Sequence, residues 1–129
     1  MNAKELKKRT KQFALRILKL VAALQNSIQG RANGGQLVRA GTSVGANYRA
    51  ACRGRSRAEF IAKLGVVEEE AESAFWLELI IEGRFLKPIL VAPLLTEANE
   101  LTKIMARSRI SASKVLHKPS RQLAIDNRK

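Results

Sequence analysis

The chain has 129 residues and a net charge of +13, so it is one domain in length and strongly basic. Hydrophobic residues make up 46% of it, enough for a core, whereas aromatics at 5% are lean for an enzyme pocket or a base-stacking platform. One cysteine, Cys52, excludes an internal disulfide, and with one histidine, His117, it excludes a zinc site of the usual ligands.

Charge excess of this kind favours an anionic partner, nucleic acid or a lipid surface, and says nothing about fold. No run of ~18 apolar residues exists, which excludes a membrane span. The basic N-terminus is not followed by the apolar core of a signal peptide. The expectation is a soluble, cytoplasmic protein.

The first predicted helix runs from Ala3 to Ser27. Leu6, Thr10, Phe13, Ile17, Leu20, Val21, Leu24 and Ile28 recur at spacings of three and four. Gly30 and Asn33-Gly34-Gly35 are read as the break. The second helix runs from Gln36 to Ala51, with an inward stripe of Leu37, Ala40, Gly41, Val44, Tyr48, Ala51 and Cys52. Gly41 and Gly45 each cost about 1 kcal/mol in a helix interior relative to Ala, so close approach of a neighbouring backbone is the expected compensation. Cys52 reads as a small core residue.

Ser56-Arg57-Ala58-Glu59 has the form of a capping box opening a third helix that reaches Glu82. Phe60, Leu64, Val67, Ala71, Ala74 and Phe75 are its expected core stripe; beyond Ala74 it is apolar nearly all round. A fourth helix is expected from Pro93 to about Ser111, carrying Leu94, Ala98, Leu101 and Met105 inward. The pattern predicts an all-α fold, an antiparallel up-down-up-down four-helix bundle over residues 1–112. A basic flexible tail over 113–129 follows.

Charge is segregated along this frame. Residues 31–57 hold six arginines and no acid, whereas residues 58–82 hold seven acids and one lysine. On the second helix Arg39, Thr42, Arg49 and Arg53 share one outer stripe, with Arg31, Arg55 and Arg57 at its ends. Such a stripe can track phosphates or pair with the acids of the third helix. These six arginines are the candidate nucleic-acid contacts.

Three motifs resemble sites of chemistry. Gly41-Thr42-Ser43-Val44-Gly45 has the G-x-S-x-G form, but its serine falls in mid-helix, not on the strained strand-to-helix turn of a nucleophile elbow. The Gly34-Gly35 loop lacks the Gly-Lys-Ser/Thr ending of a phosphate loop. Glu68, Glu69, Glu70 and Glu72 would need a Glu-x-x-His partner helix to hold two metals, and none exists. No catalytic residue, metal or cofactor is assigned. Ser43, Asn47, Glu69 and Glu72 are expected to form a structural polar network, with at least one acid paired to the second helix or to a neighbouring chain.

The run Gln36-Leu37-Val38-Arg39-Ala40-Gly41-Thr42-Ser43-Val44-Gly45-Ala46-Asn47-Tyr48-Arg49 and the run Glu69-Glu70-Ala71-Glu72-Ser73-Ala74-Phe75-Trp76-Leu77-Glu78-Leu79 are jointly distinctive. Together they resemble the bacterial four-helix-bundle proteins encoded by intervening sequences of large-subunit ribosomal RNA genes. The likeness covers roughly residues 10 to 112. Ser73-Ala74-Phe75-Trp76-Leu77 departs from that family's usual Thr-x-Tyr-Trp-Leu. The resemblance implies an up-down bundle that assembles as a ring-like homopentamer without enzymatic activity. A similar fold serves as the accessory variability protein of diversity-generating retroelements, a basic pentamer associated with nucleic acid.

Self-assembly is also expected from the residues themselves. Leu15, Leu18 and Ala22 form a second apolar stripe on the first helix, and Ala74 to Ile81 is apolar on every side. A patch of this kind marks an interaction site. Leu15, Leu18, Trp76, Leu77 and Ile80 are the candidate oligomer interface. The functional expectation is a non-catalytic homo-oligomer binding RNA or DNA non-specifically through its basic surface. The alternative is an oligomeric scaffold whose partner is another protein.

Overall fold

The computed structural model describes residues 1–70 and 73–116, the side chains of Glu68, Glu69, Glu70 and Leu116 excepted. Ala71, Glu72 and the segment 117–129, with His117 and most of the basic tail, lie outside the described residues.

The first helix, α1 (Ala3–Ala22), opens on a capping box that the sequence reading passed over. Asn2 Oδ1 accepts from the Glu5 amide at 2.8 Å and the Glu5 carboxylate accepts from the Asn2 amide at 3.4 Å. Two orphan donors are thereby satisfied. The helix ends at Ala22 rather than Ser27. Ile28 is therefore not part of its stripe; it begins the next helix and is 77% exposed.

That next helix, α2 (Ile28–Cys52), runs straight through the glycines expected to break the chain. Ser27 caps it, Oγ accepting from the Gly30 amide at 3.0 Å. Two of the supposed breakers are packing residues. A side chain on Gly30 would strike the Gln25 carbonyl, and a Cβ on Gly34 would lie 3.0 Å from Val21 Cγ1. The same tight seam continues as Gly41 against Ile17 and Gly45 against Thr10, as expected for those two glycines. From Gly34 through Gly41 to Gly45, α2 meets Val21, Ile17 and Thr10, successively earlier residues of α1, so the two helices are antiparallel.

The third helix of the sequence reading is observed as α3 (Arg57–Glu70) and α4 (Ser73–Glu82). Its predicted capping box is half formed. Ser56 Oγ accepts from the Glu59 amide at 3.1 Å, but the Glu59 carboxylate accepts from the Arg55 amide, one residue short of the predicted partner. The two segments bury different phases of the sequence: Leu64 and Val67 in α3, Ser73, Leu77 and Ile80 in α4. At 100° per residue those faces differ by roughly 140° on a continuous helix. Extrapolating the α3 stripe forward placed Phe75 in the core, whereas it is 53% exposed.

A turn built as a Schellman motif closes α4. The Phe85 amide donates to Ile80 O at 3.0 Å and the Arg84 amide to Ile81 O at 3.1 Å. The left-handed position falls on Arg84, with φ 60°, not on Gly83. The last helix, α5 (Pro88–Leu116), starts at Pro88, and Pro93 lies inside it. Of two prolines, the earlier holds the first-turn position. Pro93 and Ile89, whose carbonyl it leaves without a helical donor, are both exposed. The helix also continues through Ser113 to Leu116, residues expected in the tail.

The described residues thus form five helices and no strand. α1 packs on α2 and α5, and α3 and α4 each pack on both α2 and α5. Phe13, Ile17, Leu37, Leu64, Val67, Leu77, Ile80, Val91, Leu101 and Met105 fill the space between them. Arg9 fastens α1 to α5 through a forked pair with Glu97, Nε to Oε2 at 2.8 Å and a terminal nitrogen to Oε1 at 2.6 Å. Glu100 joins it at 3.3 Å.

Candidate nucleic-acid interface

Extending α2 back to Ile28 changes the basic surface. Arg31, expected beyond the helix end, is now on the helix, two turns before Arg39. At 100° per residue Arg31, Arg39, Arg49 and Arg53 fall within an arc of about 80° and extend about 33 Å along the axis. All four side chains are exposed. The residues between them on that arc are small: Gly35, where an added Cβ would meet nothing within 4 Å, Thr42 and Ala46. Arg55 and Arg57 extend the stripe through the turn into α3, and both are exposed.

Among the described side chains, none of Arg39, Arg49, Arg53, Arg55 and Arg57 has a carboxylate partner; the two ion pairs seen both involve Arg9. Arg31 donates to Asn26 Oδ1 at 2.8 Å, a neutral acceptor that leaves its charge uncompensated. A flat row of guanidinium groups without stacking aromatics suits phosphate oxygens. It offers nothing that reads a base edge or stacks on a splayed base.

Of the polar motif, Ser43 and Asn47 both lie on α2. Ser43 is half-buried, and its hydroxyl donates to the Ala40 carbonyl at 3.0 Å, within its own helix. Its place in mid-α2 is not the strained strand-to-helix turn of a nucleophile elbow. Asn47 is half-buried one turn later. Glu72 and the Glu69 side chain lie outside what is described, so the expected acid pairing falls there too. Tyr48 faces the core beside Cys52. Burial, reinforced by a hydrogen bond with the Cys52 thiol, pushes its phenol well above the usual range near 10.

The apolar candidates divide. Leu15 and Leu18 are exposed on α1, as expected for a stripe facing outward. Leu77 and Ile80 are fully buried in the chain's own core, so they cannot be the outer surface of α4. Trp76 is half-buried, with its ring 5.1 Å from that of Phe75 in an edge-on contact. Phe75, counted as core by periodicity, is the apolar side chain that α4 presents outward.

One feature gave no sequence signal. Ser73 Oγ is buried without a hydrogen-bond partner and lines a cavity of about 10 Å³ with Phe13, Val44, Val67, Ala98, Leu101, Thr102 and Met105. The walls are almost wholly apolar, and the space is about that of one water molecule. It is too small for a substrate.

With the fold in view, the 23S rRNA-intervening sequence proteins match residues 3–107. The chain belongs to that family. Among solved structures it is similar to a protein of unknown function of the S23 ribosomal protein family from Bacteroides thetaiotaomicron VPI-5482, with a TM-score of 0.75 and 33% identity. That likeness covers 81% of this chain and 97% of the other. No curated protein matches. Neither the family nor the Bacteroides protein points to a catalytic class. Among the described residues no helix is long and apolar enough to cross a membrane.

Proposed function

We propose that this member of the intervening-sequence family is a non-catalytic subunit of a homo-oligomer that binds RNA or DNA without sequence preference through the arginine face of α2. The observation that carries the reading is the row Arg31, Arg39, Arg49, Arg53, exposed along one helix face and unpaired with any described carboxylate. The frame is an up-down-up-down four-helix bundle in which α3 and α4 together make the third arm; both pack on α2 and α5, and α1 packs on α2 and α5 as well. Five copies is the number that the family resemblance implies.

Each phosphate neutralised contributes about −0.9 to the slope of log affinity against log salt on duplex DNA. Four arginines then give a slope of about −3.6, or roughly a hundredfold loss between 50 and 200 mM salt. Fluorescence anisotropy with a labelled duplex and a labelled single strand measures it. Changing Arg39, Arg49 and Arg53 together to Glu is expected to abolish binding while the helical circular dichroism stays. Unchanged affinity in that variant overturns the assignment to α2, and no binding at 20 mM salt overturns the nucleic-acid reading.

A further inference from the structure

The outward face of α4 is both apolar and acidic. Phe75, Glu78, Leu79 and Glu82 follow each other at spacings of three, one and three, which places them on one stripe. Phe75, Glu78 and Glu82 are exposed, Leu79 is half-buried, and α4 carries no basic residue. Exposed carboxylates flanking an uncovered aromatic ring suit neither nucleic acid nor an anionic lipid surface, since both would be repelled.

The complement lies elsewhere on the same chain. Between the end of α1 and the start of α5 runs a groove of about 400 Å³ floored by Leu20, Leu86, Leu90 and Leu94. Ile89, 79% exposed, stands on one lip, and Arg16 and Lys19 line the other. Leu15, one turn before Lys19, is exposed beside it. α1 has no acid after Glu5 and α5 none before Glu97, and the charged residues that line the groove, Arg16 and Lys19, are both basic. No α4 residue lines it.

We infer that the α4 stripe of one copy docks in the α1–α5 groove of another, with Phe75 on the apolar floor and Glu78 and Glu82 facing Arg16 and Lys19. The pairing rests on the self-association proposed above and specifies its contact. Its occupant is a second copy because this chain itself carries an apolar stripe of the charge opposite to the groove's. Two different faces meet, so the contact is heterologous: each copy offers a stripe to one neighbour and a groove to the other, and the chain of contacts closes as a ring when the rotation allows.

Four exposed residues test this without touching the core. Glu78→Lys with Glu82→Lys makes the stripe basic; Arg16→Glu with Lys19→Glu makes the groove acidic. Light scattering over a dilution series follows the mass, and emission of Trp76, the only tryptophan, follows the α4 surface locally. Each double variant is expected to raise the concentration for half-assembly at least tenfold, on the order of the cost of facing like charges. All four changes in one chain, which match stripe and groove again at every contact of a ring of any number, are expected to restore assembly and the blue-shifted Trp76 emission. Restoration also shows that the variants are folded. A wild-type oligomer indifferent to both double variants overturns the pairing and leaves self-association standing. A wild-type monomer at micromolar concentration overturns both.

Discussion

Gly41 and Gly35 lie in one helix, yet replacing each by alanine is expected to change stability in opposite directions. Alanine is favoured over glycine in a helix interior by about 1 kcal/mol, and that gain applies to both. At Gly35 nothing lies within 4 Å of the new methyl group, so the gain stands, at about 0.5–1 kcal/mol. At Gly41 the methyl would sit 2.8, 2.9 and 3.1 Å from three carbons of Ile17. Ile17 is fully buried and β-branched, with no free rotamer into which it can retreat. Overpacking of this kind costs about 1–3 kcal/mol, so Gly41→Ala should lose roughly 1–2 kcal/mol net. Urea unfolding followed by circular dichroism measures both, at one fixed chain concentration so that any self-association contributes equally by mass action. Gly41→Ala matching or exceeding wild type would show that α1 and α2 are not held at this distance, and with it would fall the explanation of why glycines line α2.

The remaining predictions concern the turn, the ion pair and the buried phenol. Arg84→Gly relieves a left-handed conformation and should stabilise by about 1 kcal/mol, whereas Gly83→Ala should destabilise, because its methyl would lie 2.5 Å from the Phe85 ring; paired urea midpoints decide. Glu97→Gln breaks a forked, three-quarters-buried pair with Arg9 and should cost about 1–2 kcal/mol, against less than about 0.5 kcal/mol for Glu100→Gln on the exposed arm; equal losses would refute the geometric ranking. Tyr48 is the only tyrosine, so absorbance at 295 nm reports it alone. Its folded-state pKa is raised, so the folded chain holds the phenolic proton that the unfolded chain releases near pH 10, and the resulting stability is lost as pH rises beyond that value. Tyrosinate should therefore appear together with unfolding; a reversible rise near pH 10 in the folded chain would contradict the burial.

The helical class and most of the core were legible because buried apolar residues recur every three to four positions. Phe13, Ile17, Leu37, Leu64 and Met105 all fall where that period puts them. Boundaries were misjudged where a residue had two possible roles. Gly30 and Gly34 look like chain breakers in isolation, and only the closeness of the α1–α2 connection to Gly30 and of Val21 on α1 to Gly34 makes them packing residues. Pro93 looked like a helix start because Pro88, five residues earlier, offers the same signal. Phe75 and Leu77 exchanged roles because the apolar phase of α3 does not continue into α4, and a helical wheel drawn from Phe60 carries no knowledge of the reset. The basic face was foreseen in outline. Its continuity through Arg31 was not, since that depended on reading the glycines correctly.

The arrangement of charge gives the two proposals a common logic. Seven of the eleven acids lie between residues 58 and 82, in the arm that packs directly against arginine-bearing α2. In an isolated chain the field of those carboxylates opposes the approach of a phosphate backbone to the neighbouring arginines. A contact that places Glu78 and Glu82 against Arg16 and Lys19 of the next copy cancels acidic field with basic residues that the α2 face does not need. What each copy then presents outward is weighted toward the Arg31–Arg53 row. Closing the copies into one assembly repeats that row, so a strand held by one subunit meets the next at high effective concentration, and phosphate contacts too weak singly become cumulative. Assembly through α4 and binding through α2 are separate surfaces, but on this account the first raises the affinity of the second, and disrupting the α4 contact weakens binding without any arginine of α2 being changed.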